Sequence, residues 1–344
     1  MWLILAVLSA SIWLLRERSH RRTRPMAGGL HADIDIPYDA EFELYHNGLS
    51  LCSKKVRFCL AELGIEYVSH HIDLIETGAY ENLSRAFLAI NPAAVVPVLI
   101  HRGHPVYESH DIIRYAADHS DTPGELVPAD PARRAAMQTW VDRASLVGDD
   151  PIANASESAG NAVPGLTVPL FAAMIEEVPY WRIAEGVLFH RLKRRALLFL
   201  AMKAGGLSRL PRSPARSIMA ECASQIARHL DALDAQLEES GGPWILGERF
   251  SLADVSWLPI FERLREADSL HCFIGGGRRA ATGAYWERLR ERPSYRAAIL
   301  AHSLPSIASG TQRLIAAKAA DPALRAALEP QTDETTSHAR GKRT

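Results

Sequence analysis

A serine and a cysteine stand two positions apart at the start of a helix-like stretch, as Ser50 and Cys52. Val56, Cys59, Leu60 and Leu63 follow at i, i+3, i+4 and i+7, the spacing of one apolar helix face. That spacing predicts a helix over residues 52–63, with Gly64 where a C-terminal cap belongs. Unpaired backbone N–H groups and the helix dipole favour negative charge at such a start. A thiolate is therefore the species to expect there, with Lys54, Lys55 and Arg57 adding positive charge nearby. Two jobs are open. Ser50 can stabilise the thiolate of a bound thiol for attack on an electrophile, or Cys52 can act as nucleophile and form a mixed disulfide. The Cys52 reading is the favoured one. Three residues after Cys52 stands Lys55, not a second cysteine, and Cys59 lies about 10 Å further along the helix. That is beyond disulfide reach, so an outside thiol must resolve the mixed disulfide. Cys59 itself, on the apolar stripe, reads as packing. An inert buried cysteine is also the competing reading of Cys52.

The surrounding elements supply a frame. Residues 42–45 and 65–74 read as strands, 82–90 as a short helix stopped by Asn91-Pro92, and 95–100 as a β-branched run with Pro97 inside it. Gly103 is a turn and residues 105–107 an edge strand. Ser109 is a good N-cap for a helix over 109–118 with Ile112, Ile113, Ala116 and Ala117 inward. The order β-α-β-α-β-β-α predicts an α/β domain with a mixed sheet over residues 41–120. Strand signals then stop. Helical stretches follow at 132–147, 168–203, 214–239, 252–267 and 285–291, separated by Pro/Gly clusters at 149–164, 205–214, 241–247 and 275–277. An all-helical domain over residues 131–305 is the reading, with the break in 121–131. Ser251-x-x-Asp254 resembles a capping box and is assigned to folding. Residues 26–40 read as a linker and 306–344 as a polar, largely disordered tail.

Composition agrees with a two-domain globular chain: of 344 residues, 47% are apolar and 23% charged. The net charge of −1 lacks the basic excess of a nucleic-acid binder. The four cysteines form neither a C-x-x-C pair nor a zinc-site spacing, so no metal is expected. They are too few for a disulfide framework, which points to a reducing, cytoplasmic compartment. Residues 2–15 are almost all apolar, and five arginines follow between Arg16 and Arg24. The run is short for a membrane span, and its charge lies on the wrong side for a secretory signal. It is either an anchor whose arginines stay in the cytoplasm or an extended reading frame before Met26. Residues 190–195, His-Arg-Leu-Lys-Arg-Arg, form either a solvated helix face or a basic amphipathic helix able to rest on an anionic membrane surface.

Three blocks together resemble the glutathione transferase superfamily. The first runs from Leu44 through Ser50-Leu51-Cys52-Ser53 to Arg57. The second is Asn91-Pro92, Val96-Pro97-Val98-Leu99 and Glu108-Ser109. The third is Trp244-Ile245-Leu246-Gly247 with Ser251-Leu252-Ala253-Asp254. They stand in the family's order and span roughly residues 42–300. The first block looks closest to the tetrachlorohydroquinone dehalogenase-like branch, and the run from Val96 to His101 is similar to ganglioside-induced differentiation-associated proteins. Residues 179–216 are longer and more basic than in compact family members.

The resemblance implies a thioredoxin-like N-terminal domain, an all-α C-terminal domain, and glutathione as co-substrate. It implies that Val96-Pro97 is a cis bond and that the Val96 backbone pairs with the cysteinyl part of glutathione, as an added strand would. It implies that Ser109 and its helix start receive the γ-glutamyl carboxylate and that Glu108 meets the ammonium group. Lys55 joins the glutathione-binding set. The helical domain is expected to supply an apolar pocket, with Trp140, Phe171, Tyr180 and Trp181 as candidate walls for a small hydrophobic electrophile. The activity implied is thiol transfer, conjugation or reductive dehalogenation of an aromatic or quinone-like compound, by a protein that is a homodimer. The alternative is a glutathione-binding or membrane-associated interaction protein without turnover.

Overall fold

The structure is a computed structural model that describes residues 2–122, 124–148 and 150–329. Five strands form one sheet in the order β1-β5-β4-β2-β3: β1 Gly29–Leu30, β2 Phe42–His46, β3 Val68–His71, β4 Val98–His101 and β5 His104–Tyr107. β2 and β3 are parallel, joined by the crossover helix α2, Leu51–Glu62; the other pairs are antiparallel. Helices α3, Arg85–Ile90, and α4, Ser109–Asp118, complete this part. The α/β reading holds, with two corrections. Residues 26–40 are not a plain linker, because β1 pairs with β5 at the sheet edge and Ile36 is buried, and for the same reason β5 is an inner strand and not the expected edge strand. Two residues are too few to show a period of 2, so β1 left no pattern in the sequence.

Every described element from residue 131 onward is helical: α5 Pro131–Arg143, α6 Ala159–Ile175, α7 Tyr180–Phe189, α8 Lys193–Arg209, α9 Ala215–Ser240, α10 Leu252–Glu266, α11 Leu270–Ile274, α12 Ala280–Glu291, α13 Pro293–Ala298, α14 Pro305–Ala320 and α15 Pro322–Leu328, with short 3-10 turns between. The single stretch expected over 168–203 is three helices, and α6 starts inside the expected loop at 149–164. Pro164 and Pro169 sit within α6, where each removes a backbone donor. Burial on nearly every side keeps α6 helical regardless. The tail also needs correction. Residues 305–328 are helical, and Ile307, Leu314, Leu324 and Leu328 enter the core. The expected disorder beyond 329 lies outside the described residues.

The capping box is formed as read. Asp254 accepts from the Ser251 N–H (2.9 Å) and the Ile245 N–H (3.0 Å), which ties the Trp244–Gly247 turn to the start of α10. α2 lies between the two parts of the molecule, packing on α4 on one side and on α10 and α13 on the other. At the N-terminus, α1, Trp2–His20, meets the body through its basic end. Glu17, buried, pairs with Arg21 (2.6 Å) and with Arg85, and Arg21 reaches Glu185 of α7 at 2.7 Å. No helix among the described residues is long and apolar enough to cross a membrane.

Candidate active site

The loop between β2 and α2 is held from several sides. Asn47 donates to the Ile72 carbonyl (2.8 Å) and to Thr77 (3.1 Å), and its own Oδ1 accepts from the Leu49 N–H at 2.8 Å. Arg263 of α10 donates to the Leu49 carbonyl. A Cβ on Gly48 would collide with the His302 carbonyl oxygen, so only glycine fits there. Ser50 is the N-cap of α2; its hydroxyl oxygen accepts from the Ser53 N–H at 3.2 Å. That duty uses the oxygen and leaves the O–H as a donor. Cys52 is the second residue of α2 and half-buried, with a free thiol.

Sheet register brings the other residues to the same edge. Tyr45 faces Val98 across β2 and β4, and Leu99 faces Val106 across β4 and β5. Continuing each ladder sets Val96-Pro97 between the loop that starts after His46 and the Glu108-Ser109 start of α4. The Val96–Pro97 bond is cis. The Val96 N–H and C=O form no hydrogen bond among the described residues, and neither do the Ser109 hydroxyl and the Cys52 sulfur. Glu108 has φ 63° and ψ 123°, a sparsely populated conformation for a residue with a side chain. Such backbone gathers at ligand sites, and nothing in the residue's type announces it.

The three cations of α2 go three ways. Only Lys55 faces this edge: it lies in the field of both Cys52 and Glu108, and its ammonium meets His110 Nε2 at 3.2 Å. Burial pushes the Lys55 ammonium below its usual range, with Cys52 and Glu108 opposing. Lys54 instead pairs with Glu266 inside the molecule, and Arg57 donates to the Ala298 carbonyl at 2.8 Å and to His46 Nδ1 at 3.0 Å. The expectation that all three surround Cys52 is thus corrected. Cys59 is fully buried, and burial pushes its thiol far up, as its packing role requires.

A narrow cleft opens beside Cys52. Leu51, Cys52 and Lys55 form one wall; Leu146, Gly160, Pro259 and Ile260 are among those facing them. None of the four expected aromatic walls lines it. Trp140 is buried in the core against Trp257, and Phe171 packs on Phe199. Tyr180 and Trp181 stand exposed on α7, at 53% and 63%. Aromatic type carries no direction, whereas the true walls are small or aliphatic residues that chain order could not bring together. Among the described residues, His271, Cys272 and Glu329 bring potential metal-ligating atoms within 4.8 Å of one another. Burial pushes the Cys272 thiol up to about 11, and Arg325 already occupies Glu329 at 2.8 Å, so the group suits its own ion pair better than a cation.

Three histidines near the loop are held neutral. Burial, with Arg57 adding to it, pushes His46 down to about 2 and His302 to about 4; burial, with Lys55 adding to it, takes His110 to about 3. In the unfolded chain a histidine titrates near ~6.5. Below that value the unfolded state takes protons that the folded state refuses. Stability is therefore full above pH ~6.5 and falls as pH drops toward the folded values. Thermal melts should show Tm declining steadily below about pH 6.5; a flat profile down to about pH 4 would contradict this.

Comparison with known proteins bears on the same stretches. The family model "Glutathione S-transferase, N-terminal domain" matches residues 49–119, and "Glutathione S-transferase, C-terminal domain" matches residues 216–297. The chain is 27% identical over 262 residues to a glutathione S-transferase of Arabidopsis thaliana named TCHQD, covering 75% of this chain and 89% of that one. It is 26% identical over 258 residues to the tetrachloro-p-hydroquinone reductive dehalogenase of Sphingobium chlorophenolicum, covering 75% and 95%. Among solved structures, a β-etherase from Sphingobium superposes with a TM-score of 0.60 at 21% identity, covering 76% of this chain and all of that one. With one family's two domain models met in order, one on the sheet domain and one on the helical domain, the chain belongs to the glutathione S-transferase superfamily.

Proposed function

We propose that the protein is a glutathione-dependent transferase of the cysteine type, acting on an aromatic or quinone-like electrophile. The observation that carries this reading is the convergence of unpartnered groups at one sheet edge: the Cys52 sulfur, the Val96 backbone and the Ser109 hydroxyl. Glutathione offers a match for each. Its cysteinyl N–H and C=O pair with Val96 as an added strand. Its γ-glutamyl carboxylate meets Ser109 and the N–H groups of α4, and Glu108 faces its ammonium. Lys55 adds positive charge beside the sulfur atoms.

For a chlorinated hydroquinone the steps balance as follows. A glutathione thiolate displaces chloride, giving the aryl thioether and one chloride ion. The Cys52 thiolate attacks the sulfur of that thioether; the aryl carbon takes the electron pair and then a proton, and Cys52 is left as a mixed disulfide with glutathione. A second glutathione thiolate attacks this disulfide, releasing glutathione disulfide and restoring Cys52. No second cysteine is needed, in keeping with the sequence around Lys55. The assembled form in this reading is a homodimer.

Two measurements test the proposal. Glutathione with chlorinated hydroquinones should release chloride and glutathione disulfide in equal amounts; glutathione binding without turnover on any such compound would favour a binding protein instead. Ser109→Ala should weaken glutathione binding by about 1 kcal/mol or more, the scale of a lost charge-assisted hydrogen bond. An unchanged dissociation constant by calorimetry would remove Ser109 from the site.

A further inference from the structure

The helix α1 is apolar all round, and little of its apolar stretch is covered among the described residues. Trp2, Ile4, Ile12, Trp13 and Leu15 are 60–82% exposed, and their positions circle the helix rather than marking one face. A helix of this kind belongs in a core or in lipid, and among the described residues no core receives it. Its uncharged stretch, residues 2–15, is about 20 Å long at 1.5 Å per residue, against about 30 Å for the hydrocarbon of a bilayer. It is long enough to enter a bilayer and too short to cross one.

The base of α1 is built for a boundary. Arg16, Arg18, Arg22 and Arg24 are exposed there. The ion pairs of Glu17 with Arg21 and Arg85, and of Arg21 with Glu185, fix the helix to the body at this level. Arg21 also lies over the Phe189 ring at 4.6 Å. These contacts bring α7 to the foot of α1, and the start of α8 follows on α7, where Lys193 donates to the Val187 carbonyl. That flank exposes Tyr180, Trp181, Leu197 and Leu198, with Lys193 and Arg194 also exposed. Arg182 lies over Trp181 at 4.2 Å. Aromatic residues mixed with arginine and lysine are what the headgroup layer of an anionic membrane accommodates.

We infer that α1, its arginine collar and the α7–α8 flank form one surface that seats on an anionic phospholipid bilayer, with α1 inserted without spanning it. Charge selects this occupant over a second copy of the chain. Two α1 helices side by side in parallel would set both arginine collars against each other, whereas lipid phosphates neutralise them. The surface is independent of the thiol chemistry, and Tyr180 and Trp181 find in it a role that the Cys52 cleft does not give them.

The test is flotation of the full chain with vesicles of phosphatidylcholine, with and without phosphatidylserine. The protein should float with the anionic vesicles at least about tenfold more than with the neutral ones, and added salt should weaken this. Ile4→Asp with Ile12→Asp should abolish flotation. Arg22→Glu with Arg24→Glu should remove the preference for phosphatidylserine. All four side chains are exposed, and unchanged glutathione turnover in each double variant serves as the control for folding. Failure of the full chain to float, equal flotation on both compositions, or a change of oligomer size in place of flotation on Ile4→Asp with Ile12→Asp would overturn the inference.

Discussion

Cys52→Ala is expected to lower formation of the dechlorinated hydroquinone and of glutathione disulfide by more than about a hundredfold, while leaving the first chloride displacement and glutathione binding close to normal. Removal of a covalent nucleophile costs far more than that in enzymes that depend on one. Binding survives because Val96, Ser109 and the start of α4 do not involve the sulfur. The aryl thioether should then accumulate, since the first displacement needs only the bound glutathione thiolate. Ser50→Ala should slow the first step by less, because Ser50 contributes one donor to a charge that the α2 terminus already favours. It also removes an N-cap, with a stability loss of about 1 kcal/mol. Formation of glutathione disulfide with identification of the thioether would read Cys52→Ala, and steady-state chloride release would read Ser50→Ala. Unchanged glutathione disulfide formation in Cys52→Ala would end the cysteine-type reading, and a larger loss in Ser50→Ala would favour a conjugating enzyme instead.

Glu266→Ala is expected to destabilise the fold by about 3–5 kcal/mol, the usual consequence of stripping one partner from a buried ion pair. Glu266 holds two buried cations, Lys54 of α2 and Arg263 of α10, the latter at 3.0 Å. Burial pushes the Lys54 ammonium below its usual range, and the Glu266 charge is the main opposing influence. Without it, Lys54 loses its counter-charge and Arg263 its brace. Arg263 also donates to the Leu49 carbonyl, so the loop ahead of Cys52 loosens with it. The shift in urea midpoint at constant m-value measures the loss. Glu266→Gln, which keeps the acceptor oxygen, should recover part of it. A change below about 1 kcal/mol would show that the pair is not structurally coupled as described.

What could be read from the chain was what is local. Ser50, Cys52 and Ser109 belong to helix starts, and a helix start is written in a few adjacent residues, although the N-cap of α4 is Glu108 and not the expected Ser109, which is its first helical residue. Ser251 with Asp254 worked for the same reason. The order of strands and helices revealed the two-part architecture. What stayed hidden depends on which way a residue turns once a helix is packed. Lys54, Lys55 and Arg57 look alike on paper, yet each step along α2 rotates the side chain by about 100°. One therefore meets α10, one α4 and one α13. The cleft walls, Gly160 on α6 and Pro259 on α10, are far apart in the chain and carry no shared pattern. The helices at 305–328 were missed because alanine-rich stretches show a weak apolar stripe, and β1 because it is too short to show any.

The contact between Gly48 and the His302 carbonyl, with the bond from Arg57 to the Ala298 carbonyl, has a meaning for biosynthesis. The sheet domain leaves the ribosome first, but the turn that aims its sulfur rests on residues made some 250 positions later, between Ala298 and His302. Until these arrive, the Cys52 turn lacks its outer wall. The turn can therefore be completed only once synthesis has passed His302.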